Sequence, residues 1–143
     1  MLKQEQIQGI VTTLCQYFNI PCIPNVVVSS DIKNSSFDGF DIKIKEDDTA
    51  SMIYDMYHEF RHVWQQCHYR TVLEFWQTHQ DLYRRYYALS AIEIDAHHYA
   101  QLCIADQGAR YTKFLETERL LQTEKKLIQL NKLEKLLRNL SLL

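Results

Sequence analysis

His58 and His62 are one helical turn apart, with Glu59 directly after the first, in the run Tyr57-His58-Glu59-Phe60-Arg61-His62-Val63. On a helix, residues four apart share a face, with Cβ atoms about 6 Å apart, so two imidazole nitrogens can close on one zinc ion. Glu59 is displaced around the helix and is poorly placed to bind the metal. It can instead reach a water on the metal and take its proton. HExxH on a helix is the pattern of a zinc-dependent metallopeptidase, with His58 and His62 as ligands and Glu59 as general base and later proton donor. The competing reading makes these ordinary helical histidines and Glu59 a solvated charge beside Arg61.

The flanking sequence must supply that helix. Met52, Met56, Phe60 and Val63 recur at helical spacing, with Ile53 and Trp64 beside them, and neither Gly nor Pro interrupts the run. This predicts an amphipathic helix over 49–67, with Asp47, Asp48 and Thr49 as its start signal.

A peptidase site needs a third protein ligand and an open position for water. Two residues are candidates. His68 completes the spacing HExxHxxQxxH, but Gln65 stands where the metzincin pattern has the glycine of a sharp turn. No methionine follows Met56 to form the downstream Met-turn of that group. A histidine at a helix C-terminus is also favoured by the helix dipole alone. Glu93 lies in Ser90-Ala91-Ile92-Glu93-Ile94-Asp95-Ala96-His97-His98-Tyr99-Ala100. There Ser90-x-x-Glu93 also reads as a capping box, the glutamate reaching back to the Ser90 amide.

The pair HEFRHVWQ and EIDAHHYA resembles the HExxH plus ExxA(D/N)xxA signature of gluzincin-like zinc metallopeptidases, especially compact bacterial and phage proteins of the ImmA/IrrE type. The resemblance spans roughly 26–105. It implies that Glu93 completes the zinc set with His58 and His62, and that Ala96 lets its helix approach the motif helix closely. It also implies a protein or peptide substrate, with a host or phage regulatory protein as the kind of target. His97 stands where the family often has Asp or Asn to orient a zinc histidine, a departure that leaves His97 or Asp95 as candidates to supply that contact differently. His97, His98 and Tyr99 default to packing, with stabilisation of an oxyanion by one of them as the alternative.

Around the site, Ile7, Ile10, Val11, Leu14 and Phe18 predict a first amphipathic helix over 3–18, stopped by the prolines at 21 and 24. Asn25 to Ser30 reads as a short buried strand. Asn34 to Gly39 reads as a turn. Phe40, Ile42 and Ile44 then alternate with Asp41, Lys43 and Lys45, the pattern of a half-buried edge strand that could hold an extended substrate by strand addition. Val72, Leu73, Phe75, Trp76, Leu82, Tyr83, Tyr86 and Tyr87 suggest one aromatic-rich helix, mostly core. A further helix opens at Ser90 and runs to a stop near Gln107-Gly108. From Tyr111 a long leucine-rich helix follows, in which Thr123 and Glu134 break a clean heptad seam. Packing on its own domain therefore competes with a homodimeric coiled coil.

The expected architecture is α+β, mostly α: a small zincin-like domain over 1–110 with a short sheet and the HExxH helix, and a C-terminal leucine-rich helix over 111–143. With 143 residues and 46% hydrophobic content, the chain can bury a core around a rigid site. Net charge −2 and a pI near 6.3 give no basic footprint for nucleic acid. Four dispersed cysteines and the lack of a signal-peptide pattern lead to the expectation of a reduced, cytoplasmic setting. No apolar run suits a membrane span. The alternative function is a non-enzymatic binding or structural protein, its metal site structural or absent, acting through the C-terminal helix.

Overall fold

The fold is described from a computed structural model over residues 1–81, 84–105 and 116–141. In chain order it comprises α1 (Gln4–Tyr17), β1 (Asn25–Ser29), β2 (Ser36–Phe37), β3 (Asp41–Lys45), α2 (Thr49–His68), α3 (Arg70–His79), a 3₁₀ turn (Tyr87–Leu89), α4 (Ala91–Ala105) and α5 (Glu118–Asn139). The architecture is α+β and mostly helical, with one small mixed sheet of order β1-β3-β2. No helix among the described residues is long and apolar enough to cross a membrane.

One face of the sheet closes the core. Ile42 and Ile44 of β3 are fully buried with Val26 of β1 and Phe37 of β2, and they join Met52, Met56 and Phe60 of α2 and Ile7 and Val11 of α1. The outer edge of β1 is occupied by side chains of α1: Gln4 Oε1 accepts from Val28 N at 2.9 Å and Gln8 Oε1 from Val26 N at 2.7 Å. Gln8 Nε2 also donates to the Pro24 carbonyl. These amides satisfy backbone groups that an unpaired strand would leave exposed.

The strand over 40–45 is not an edge. β3 lies at the centre, parallel to β1 and antiparallel to β2. Its alternation records a sheet with one buried and one solvated face, which a central strand and an edge strand share. The edge beside the cleft is β2, two residues long and paired with β3, inside the segment expected to be only a turn. Gly39 at φ +98° turns the chain from β2 into β3. Phe40, expected on the buried face, precedes the strand and is 82% exposed. β1 is half-buried rather than buried on both sides, since Val27 faces out.

The motif helix runs one residue beyond its expected end, and Asp48 caps it by accepting from Ser51 N at 2.8 Å. The aromatic-rich segment is not one helix: α3 stops at His79, where the Thr78 hydroxyl and His79 Nδ1 bond back to carbonyls of the preceding turn. Of its expected core, Val72 and Leu73 are buried, Phe75, Trp76 and Tyr87 are half-buried, and Tyr86 is exposed. Leu82, Tyr83, the stop near Gln107-Gly108 and the start of the last helix at Tyr111 lie outside the described residues, as does the 110/111 boundary.

α4 places Ala91, Ala96 and Ala100 in the interior beside Ile92, Tyr99 and Cys103. α5 packs on the domain through Leu121, fully buried, and Ile128, partly buried. Polar contacts fasten it: Trp76 Nε1 and Ala91 N both donate to Glu124, and the Tyr69 hydroxyl donates to Glu118.

Candidate metal centre

α2 and α4 lie face to face, and three side chains meet where they do. His58 Nε2 is 3.1 Å from Glu93 Oε2, His62 Nε2 is 3.0 Å from Glu93 Oε1, and the two Nε2 atoms are 3.2 Å apart. Donors about 2.0–2.1 Å from a tetrahedral zinc stand about 3.3–3.4 Å from one another, so the triangle matches to within a few tenths of an ångström. Two imidazoles and a carboxylate are also the donor types that zinc accepts. Among the described residues these three form the group able to hold a metal ion.

The alternative reading of Glu93 as a capping residue is only half met. Ser90 Oγ accepts from Glu93 N at 3.4 Å, but Ser90 N donates to the Tyr87 carbonyl instead of to Glu93. The carboxylate is thereby left to the histidines. Burial would raise the Glu93 pKa, but hydrogen bonds from His58 and His62, with their charges, hold it well below the usual range. His62 moves the opposite way: burial pulls it down, and the Glu93 hydrogen bond with the Glu59 and Glu93 charges carries it above the ordinary imidazole range. Without a metal ion, the pair is a buried proton-sharing contact.

Glu59 sits at the edge of this group, its Oε1 3.9 Å from His58 Nε2. Burial is the largest influence on its carboxyl and raises it, against the pull of His62 and His58. The three ligand candidates and Glu59 line one cavity of about 600 Å³. Its walls include Ser36 and Phe37 of β2, Tyr54 and Asp55 of α2, Leu73 and Gln77 of α3, and Tyr87. Ser35 pins the β2 side to α2 by donating to Asp55 Oδ2 at 2.7 Å while accepting from Lys45 N.

His68 is elsewhere. Because α2 continues unbroken through Gln65, His68 points about 120° around the helix from His62. Its ring lies against Trp64, centroids 4.6 Å apart, and it lines a separate recess with Glu118 and Gln122 of α5. His97 does reach the cavity: its Nδ1 is 2.6 Å from the Tyr54 hydroxyl and its Nε2 3.8 Å from Glu93 Oε2. Tyr99 packs in the core against Tyr57 and Phe60, and His98 is not part of the cavity wall.

The side chain bonded to the far ring nitrogen of His62 is neither His97 nor Asp95. It is Gln65, whose Oε1 is 2.7 Å from His62 Nδ1. Asp95 acts one bond further back, accepting from Gln65 Nε2 and from Arg61. The sequence carried a signal for this, since Gln65 is three residues after His62 and so a neighbour on the same helical face. Tyr54, four residues before His58, was equally findable. Tyr87 was not, because it reaches the cavity from the 3₁₀ turn.

In comparisons with known proteins, no family model matches the chain, and no curated protein or solved structure is significantly similar to it.

Proposed function

We propose that this chain is a zinc-dependent metallopeptidase acting on a protein or peptide substrate, with a zincin-like fold. One observation carries the reading: His58, His62 and Glu93 converge at mutual distances of 3.0–3.2 Å in the wall of a cavity that Glu59 also lines. The resemblance of the paired motifs to ImmA/IrrE-type proteins supports the same conclusion. His58, His62 and Glu93 are the residues that would hold the ion. When bound, zinc supplies Lewis acidity toward a carbonyl oxygen and makes water acidic enough to attack at neutral pH.

The remaining chemistry belongs to the chain. Glu59 takes the proton of the attacking water and passes it to the leaving amine, a role suited to a carboxyl that burial has made more basic. The Tyr54 hydroxyl lies 2.6 Å from His97 Nδ1; with the hydroxyl as donor, the proton of a neutral ring sits on Nε2, the nitrogen on the Glu93 side. That N–H is the donor available to a developing oxyanion. β2, as the short edge in the cavity wall, is where an extended peptide would add to the sheet.

The reading is tested first by metal content. Protein purified without added metal should carry about one zinc per chain, lost in Glu93→Ala and kept in His68→Ala. Glu59→Gln should retain the metal and abolish cleavage of a random peptide library. A parent that takes up no zinc when it is added back would overturn the proposal, as would cleavage by Glu59→Gln at the parent rate. A second reading, a binding protein working through α5, draws on the exposed leucines of that helix. It would be favoured by cobalt spectra showing four protein ligands.

A further inference from the structure

A glutamine amide can present either its carbonyl or its NH₂ to a neighbour, and its partners decide which. Gln65 is fully buried between α2 and α4. Its Nε2 lies 3.0 Å from the Ile92 carbonyl and 2.9 Å from Asp95 Oδ2, two groups that only accept. Asp95 is a carboxylate held on both oxygens: Arg61 Nε reaches Oδ2 at 2.6 Å, while an Arg61 terminal nitrogen and the Thr117 hydroxyl reach Oδ1 at 3.2 and 2.8 Å. Rotating the amide by half a turn would set its oxygen against both acceptors, at a site where Gln65 and Asp95 are fully buried. The orientation is therefore fixed. Gln65 Oε1 faces His62 Nδ1, and only a proton on Nδ1 satisfies that 2.7 Å contact.

We infer that Gln65, held by Asp95, is a positioning residue that locks His62 with its proton on Nδ1. A neutral His62 then has its free lone pair at Nε2, the atom that faces His58 and Glu93. The consequence for metal binding rests on the zinc reading above; the proton position does not. The outermost donor in the relay, Thr117, immediately precedes α5, so the start of the C-terminal helix is bonded into the same chain of contacts.

The test uses the full-length protein with ¹⁵N-labelled imidazoles. Long-range ¹H–¹⁵N spectra of the metal-free and zinc-loaded forms should show a proton on His62 Nδ1. Gln65→Met, which fills similar space without an acceptor, should unprotect that proton and weaken zinc affinity about 10–100-fold. Loss of packing alone would lower the melting temperature without moving the Nδ1 signal. An unprotonated Nδ1 in the parent overturns the inference even if Gln65→Met cannot be folded. So does a folded Gln65→Met that binds zinc as the parent does. A parent that takes no zinc but shows the Nδ1 proton leaves the inference standing and removes the peptidase reading.

Discussion

The α2–α4 contact and the outer half of α5 are opposite solutions to placing a helix. Where α2 meets α4, the interior is polar: Arg61, Asp95, Gln65, His62 and Glu93 are all at most 9% exposed, and each has a partner. Along α5, Leu121 is the one fully buried described residue, while Leu127, Leu130, Leu133, Leu136 and Leu140 are all at least half exposed. Apolar content is thus a poor guide to which helix is committed. A buried polar network admits one arrangement because each member left unpaired is costly. A leucine row facing solvent admits many.

The largest effect should come from breaking the polar contact. Arg61→Ala leaves the Asp95 carboxylate buried and uncompensated, and should cost about 3–5 kcal/mol in urea unfolding of the metal-free protein. A cost near zero would mean that the network is not the element fixing α4. Next, Leu121→Ala should cost about 3 kcal/mol, because it empties the site where α5 is seated in the core. Leu130→Gln and Leu133→Gln should each change stability by less than about 0.5 kcal/mol. If instead they lower a melting temperature that rises with protein concentration, the leucine row is a seam between copies of the chain.

The smallest effect is at the start of α2. Hydrogen bonds from Ser51, its backbone amide foremost, lower the Asp48 pKa below the ordinary aspartate value. A carboxyl lowered on folding contributes stability above its unfolded pKa and loses it as pH falls through the folded one. Asp48→Asn should therefore fall slightly behind the parent from neutrality down to the ordinary aspartate pKa, and draw level with it only in stronger acid, once pH has fallen through the lowered folded pKa. A difference that grew on acidification would contradict the cap.

How much could be read from sequence depended on whether position was set locally. His58, Glu59 and His62 are fixed relative to one another by helical geometry alone, and the extent of α2 followed from its periodicity and its cap. Glu93 had no local link to them. Spacing offered His68, against which Gln65 in the glycine position and the lack of a later methionine both counted, and the paired-motif resemblance pointed to Glu93. Gln65 was visible but was weighed as a missing glycine, because the metzincin comparison asks what the backbone does there and not what the side chain could accept. β2 was illegible for a physical reason. Two residues carry no periodicity, and their conformation comes from pairing with Ile42 and Lys43. β3 was misassigned as an edge because alternation reports which face is wet and says nothing about neighbours on either side.

The glutamines of α1 that bond to β1 have a consequence beyond the fold of one molecule. A bare strand is a template on which a second chain can polymerise, and here the helix that precedes the sheet in the chain covers it. Newly made protein would have α1 ready before β1 exists. A chain lacking α1 would expose those donors together with the apolar face the helix covers, and aggregation would follow more readily than simple unfolding.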